Sequence, residues 1–117
     1  MREVHSQLIE GARTPHFADP GQFRRSQNWI GGTSPSNALF VPPSVDEMNR
    51  ALHDFESFLH AGLQAPPLLH IALTHAQFET IHPFLDGNGR TGRLLITMLL
   101  CYWKLLERPV LFLSAYF

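Results

Sequence analysis

Residues 44–62, SVDEMNRALHDFESFLHAG, space Met48, Leu52, Phe55 and Leu59 three and four apart, which makes one side of a helix apolar and leaves the rest polar. Ser44 with Glu47 is a capping box that starts this helix, and Gly62 is placed to end it. The next stretch, PPLLHIALTHAQFETIH, opens with proline where a first turn tolerates it and is apolar on most faces. It predicts a helix ending at His82, because Pro83 disfavours helical geometry in the residue before it. From Thr91 to about Leu106, TGRLLITMLLCYWKLL is apolar nearly all round and predicts a central, buried helix. Near the start, Val4, Leu8 and Ile9 fall on one helical face, with Gly11 as a natural stop.

Between these periodic stretches the pattern breaks. ARTPHFADPGQFRRSQNWIGGTSPSN is rich in Pro, Gly, Ser and Asn and reads as loop. Within it, NWI and ALFV flank Gly31-Gly32 and TSPSN, which predicts a small, irregular β-hairpin rather than a core sheet. RPVLFLSAYF is a short closing segment, helical at its end. The fold class expected is all-α with one small β-hairpin, in one domain spanning residues 1–117. A helix beginning this abruptly suggests a piece of a longer chain.

Composition narrows the function. Hydrophobic residues make up 44% and charged residues 16%, so the chain can fold around a core. The net charge of -1 gives no bulk attraction to nucleic acid, so any anion must be held by local arrangement. The lone Cys101 sits in an apolar run and reads as a packing residue in a reducing compartment. That run is shorter than the roughly 20 residues a membrane span needs. The start MREVHSQLIEG lacks the pattern of a secretory leader, and a cytoplasmic location is expected.

The densest chemistry lies in HPFLDGNGRTGR, residues 82–93. Gly87-Asn88-Gly89-Arg90-Thr91-Gly92 spells G-x-G-x-x-G, but the dinucleotide fingerprint needs a preceding strand and an acidic residue about 20 positions later. Here a helix and Pro83 precede, and position 108 is Arg. Helix, tight loop, helix is the better reading. Gly87 and Gly89 permit a nest of backbone N–H groups, feeding the N-terminus of the next helix, where the dipole also favours an anion. Arg90 and Arg93, three apart, are cations at the wrong helix end unless an anion is the guest. Asp86 offers Mg²⁺ a hard oxygen alongside substrate phosphates, Asn88 an amide donor, and His82 a group that titrates near neutrality. Each alone is ordinary: Asp86-Gly87 is a common turn and a lone His82 is more often a cap. Together they describe phosphoryl or nucleotidyl transfer. Phe84 reads as the anchor that pins the loop into the core.

These residues resemble the Fic motif, H-P-F-x-D-G-N-G-R-x-x-R, at every fixed position. PGQFRRSQNWIGG, FVPP and LSAYF extend the resemblance to Fic core domains over nearly the whole chain. The resemblance implies a Fic-type helical bundle with a small β-hairpin flap, and transfer of AMP from ATP to a hydroxyl of a protein. It implies His82 as the base that deprotonates the target Ser, Thr or Tyr, and Asp86 as the ligand of Mg²⁺. Asn88 and the backbone of Gly87 and Gly89 would hold the α- and β-phosphates, Arg90 the β-phosphate and Arg93 the γ-phosphate, with Gly92 completing the loop. The target protein would lie along a flap of about Asn28–Val41, with Trp29 and Ile30 as its clamps or as packing beneath it, in even balance. Gly21, Phe23 and Arg24 are read as structural. A homodimer is compatible with the resemblance; nucleic acid and membrane are not among the partners it implies.

Relatives with Lys in place of Gly89 phosphorylate instead, and others transfer UMP or phosphocholine; Gly89 and Arg93 favour AMP here. SQLIEG, Ser6 to Gly11, spells the S/T-x-x-x-E-G/N pattern of an inhibitory helix. Its place just before PGQFR matches an ordinary core helix, so the inhibitor is expected upstream or on a partner rather than at Glu10. Two other readings stay open: a metal site on His70, His75 and His82, which lacks the i,i+4 spacing of H-E-x-x-H, and a catalytically silent nucleotide-binding module.

Overall fold

A computed structural model of the chain describes residues 1–10, 19–109 and 113, with the backbone alone for 8–10. Among the described residues lie four α-helices: α1 (Arg2–Glu10), α2 (Val45–His60), α3 (Pro67–Ile81) and α4 (Asn88–Tyr102), with a 3₁₀ turn at Pro35–Asn37. The Gly11 stop, the side chains of Leu8, Ile9 and Glu10, and the closing segment after residue 109 lie outside what is described, except for residue 113.

Helix α2 starts as its sequence requires. The Ser44 hydroxyl accepts from the Glu47 N–H, and the Glu47 carboxylate accepts from the Ser44 N–H at 3.3 Å. Met48, Leu52 and Phe55 are buried, Leu59 packs partly against the same core, and Gly62 takes a left-handed φ of 80° just past the end. Helix α3 begins on proline and ends at Ile81, with His82 as its C-cap. Its Phe78 and Ile81 meet Met48, Leu52 and Phe55 of α2, and Phe84 and Leu95 complete the cluster.

Helices α3 and α4 run antiparallel. The His70 ring meets Trp103 edge-on at one end, and Phe78 meets Gly92 at the other. Gly92 sets the close approach: a Cβ there would stand 3.1 Å from Phe78 Cδ1 and 3.2 Å from His75 Cε1. Helix α4 starts at Asn88, before the expected Thr91, because Gly87 (φ 81°) turns the loop directly into it. It stops at Tyr102, before Leu106, where Lys104 goes left-handed (φ 60°) and the Leu105 and Leu106 N–H groups both donate to the Leu100 carbonyl. The uniform apolarity of α4 overstates its burial. Among the described elements α1 and α3 cover it, and Met98 (48% exposed) and Tyr102 (75%) face outward.

The expected β-hairpin is reduced to one antiparallel bridge. Ile30 and Phe40 exchange N–H···O bonds of 2.9 and 3.2 Å, and no strand forms among the described residues. Gly31 and Gly32 at φ 71° and the 3₁₀ turn use the intervening chain for reversal, so no further extended pair can form. The Asn37 Oδ1 organises that reversal by accepting from the Thr33 and Ser34 N–H groups.

Candidate active site

The loop between α3 and α4 is held from three directions. Phe84 is fully buried and its ring stacks on His5 of α1, centroids 3.7 Å apart and nearly parallel. His5 in turn accepts from the Gly21 N–H at Nδ1 (3.0 Å), so its proton sits on Nε2 and is donated to the Asp86 carbonyl at 2.6 Å. The third hold is Asn88. Its Oδ1 accepts from the Phe84 N–H and its Nδ2 donates to the Phe84 carbonyl, at 2.9 and 2.7 Å. The amide that the sequence assigned to a phosphate is thus largely occupied in closing the loop, and the backbone N–H is what Asn88 presents.

Sequence reasoning missed His5 and read Arg24 as structural. No local signal marks a histidine on an amphipathic helix as a strut for a loop far along the chain. Arg24 had a signal: a cation in an otherwise loop-like run whose side chain turns out to be 1% exposed.

The loop gathers His82, Leu85, Asp86, Gly87, Asn88, Gly89, Arg90 and Arg93 around one cavity of about 280 Å³. Gly92 is not among them; it faces α3, and its need to be glycine comes from helix packing. A larger cleft of about 610 Å³ lies between α1 and residues 20–23, lined by Arg2, Glu3 and Glu56 among others. It has no glycine loop feeding a helix N-terminus, so chemistry rather than size singles out the smaller cavity.

Within the cavity the first-turn N–H groups of α4 have no intrahelical acceptor, and Gly87 provides no side-chain cap to take them. Asp86 and Arg90, both partly exposed, pair at 3.6 Å. The Arg93 guanidinium folds back over the start of the helix, where a Cβ on Gly89 would meet its Nη1 at 3.2 Å. His82 stands at the rim in a left-handed conformation (φ 50°, ψ 62°), with Nδ1 buried and without a well-formed hydrogen bond. Burial lowers its pKa below the ordinary histidine value. The Glu79 carboxylate and backbone carbonyl pull it up, and the Arg24 charge pushes it down, with burial prevailing. At neutral pH the ring is therefore neutral.

The other two histidines of the candidate metal set go elsewhere. His70 is buried between the Phe58 ring and Trp103, and His75 lies against the Gly92 carbonyl. Among the described residues no three His, Cys, Asp or Glu side chains gather to hold a metal. Asp86 alone fits Mg²⁺ that arrives on phosphates, since that ion keeps one or two carboxylates plus substrate oxygens.

Residues 1–100 match the model of the Fic/DOC family. The chain belongs to the Fic/DOC family. Within it, the chain is 40% identical over 100 residues to protein adenylyltransferase Fic of Aedes aegypti, covering 84% of this chain and 18% of that protein. It is 35% identical over 102 residues to the protein of the same name from Culex quinquefasciatus, covering 86% and 18%. The chain thus spans under a fifth of these relatives. Among solved Fic structures, a Fic family protein from Desulfovibrio desulfuricans superposes with a TM-score of 0.68 at 29% identity, over 89% of this chain and 31% of that one. A Fic domain containing signaling protein from Bacteroides thetaiotaomicron superposes at 0.65, with 22% identity, and shares the fold.

Proposed function

We propose that this Fic domain transfers AMP from ATP to a Ser, Thr or Tyr hydroxyl of a protein. The observation that carries the reading is a neutral, half-buried histidine on the same small cavity as a carboxylate, two arginines and the uncapped N-terminus of α4. The names of the Aedes and Culex relatives support the same chemistry.

In this reading His82 takes the proton of the target hydroxyl. Nδ1 is enclosed, so Nε2 is the nitrogen that receives it. The freed oxygen forms a bond to the α-phosphorus of ATP, the bond from that phosphorus to the β-phosphate bridging oxygen breaks, and pyrophosphate leaves. The N–H groups at Gly87, Asn88 and Gly89 hold phosphate oxygens, Arg90 meets the β-phosphate and Arg93 the γ-phosphate. Asp86 would hold Mg²⁺, which supplies charge neutralisation to the phosphates. Arg90 exchanges its Asp86 partner for a phosphate when the nucleotide binds. The target lies along residues 28–41, where Trp29, Ile30, Phe40 and Val41 are 37–44% exposed and Leu39 is 89% exposed.

The test is intact mass after incubation with ATP and Mg²⁺, wild type beside His82→Ala, with ATP affinity measured on both. The expected result is an AMP-sized gain on the domain or its target in the wild type. In His82→Ala the rate falls by about 10²–10⁴, the worth of a positioned base, with ATP binding nearly intact. A phosphate-sized gain would make the domain a kinase; equal loss of transfer and of ATP binding in the variant would make His82 a binding residue.

A further inference from the structure

The base stands on a buried cation that has no assigned role. Arg24 is 1% exposed, and the partners of its guanidinium are backbone carbonyls. Nε donates to His82 O at 2.9 Å, Nη1 to Ser26 O at 3.1 Å, and Nη2 to Pro43 O at 2.5 Å and Ile81 O at 3.3 Å. Its own N–H donates to Pro83 O at 2.8 Å. Burial lowers its pKa, yet an arginine stays charged, so a full charge is enclosed and, among the described residues, carbonyl dipoles meet it. The dipole at the C-terminus of α3 is the compensation, since Ile81 and His82 are its last carbonyls.

An apolar residue could fill this space without that desolvation cost. The arrangement makes sense in terms of what the five hydrogen bonds fix. His82 is one of three described non-glycine residues at positive φ, a conformation that persists where the surroundings over-determine it. Its carbonyl takes two donors, Arg24 Nε and Asn28 Nδ2 at 3.2 Å, and Asn28 also reaches Phe84 O at 3.3 Å. The same guanidinium holds Ser26 and Pro43, which flank the 28–41 segment on either side, while Gln27 ties to Pro42 O at 2.8 Å.

The geometry points to Arg24 as the positioning residue of the base: it holds the His82 backbone in its left-handed turn and fixes both ends of the target-docking segment to that turn. This rests on the reading of His82 as the base. A target lying along residues 28–41 is thereby registered against the imidazole rather than against the helix bundle at large. Misplacement by about 1 Å costs on the order of a hundredfold in such a reaction, so the clamp acts on the chemical step more than on nucleotide binding.

Three variants and two readouts test it. Arg24→Lys keeps the charge but lacks the fork that spans four carbonyls; Arg24→Gln removes the charge as well. Asn28→Ala removes the second donor on His82 O and serves if Arg24→Gln does not fold. In the folded variants, kcat for AMP transfer is expected to fall by about tenfold to a hundredfold, with ATP affinity within about twofold of wild type. The second readout needs no activity: NMR titration of the His82 imidazole. The groups facing it are Glu79 on α3, Arg24 itself, Asp86 in the loop, and Arg90 and Arg93 across the cavity. Its midpoint is expected to rise in Arg24→Gln and to rise less in Arg24→Lys. Folded variants with wild-type kcat, or a folded Arg24→Gln with an unchanged His82 titration, would overturn the proposal. A wild type that transfers nothing would sink the reading of His82 as base, while the titration still reports whether Arg24 governs the imidazole.

Discussion

At the scale of single residues, the cavity is built from positions with little freedom to vary. Gly89 is one, because the Arg93 guanidinium lies 3.2 Å from where a Cβ would be. Gly89→Ala is expected to displace that guanidinium and raise KM for ATP severalfold, with kcat changed less, in steady-state kinetics. If transfer proceeds as proposed, His82 carries its pH dependence. Burial holds its pKa below the ordinary value, so the rate at saturating ATP should rise with pH along a limb centred below about 6.5. Stability follows the same sign. The unfolded chain binds the proton more readily than the folded one, so this contribution is full above the unfolded pKa. It is lost as pH falls through the folded pKa. Both are measurable, as a pH–rate profile and as melting temperature against pH, and His82→Ala should flatten the second over that window.

At the scale of elements, the helices were readable wherever a local rule acts alone. The Ser44–Glu47 capping box formed as the sequence requires, and Ser44→Ala should cost about 1 kcal/mol, seen as a lowered denaturation midpoint. Pro83 ends α3 within one residue of the expected His82, which becomes its C-cap. The limits of α4 were less legible, since they depend on Gly87 and Lys104 adopting left-handed geometry rather than on apolar spacing. Gly92 shows the same distinction. Its place in G-x-G-x-x-G suggested an anion contact, whereas only the approach of α3 reveals a packing role. Gly92→Ala should therefore destabilise the domain by about 1–3 kcal/mol through overpacking, with ATP affinity changed little in variants that still fold.

At the scale of the whole molecule, the site is completed by segments remote in sequence. His5 of α1, itself bonded by the Gly21 N–H, holds the Asp86 carbonyl, and Arg24 and Asn28 hold that of His82. No helix among the described residues is long and apolar enough to cross a membrane. The sequence by itself determined the helices of α2 and α3, the stop at Pro83 and the set of groups from His82 to Arg93. Each of these depends on backbone geometry or chemistry carried by neighbouring residues. Tertiary structure alone decided that the hairpin shrinks to one bridge, that Asn88 closes its own loop, and that Gly92 serves packing. It also decided that His5 and a buried Arg24 support the site. Those outcomes turn on which distant carbonyl or ring comes within a few ångströms, and a one-dimensional pattern carries no record of that distance.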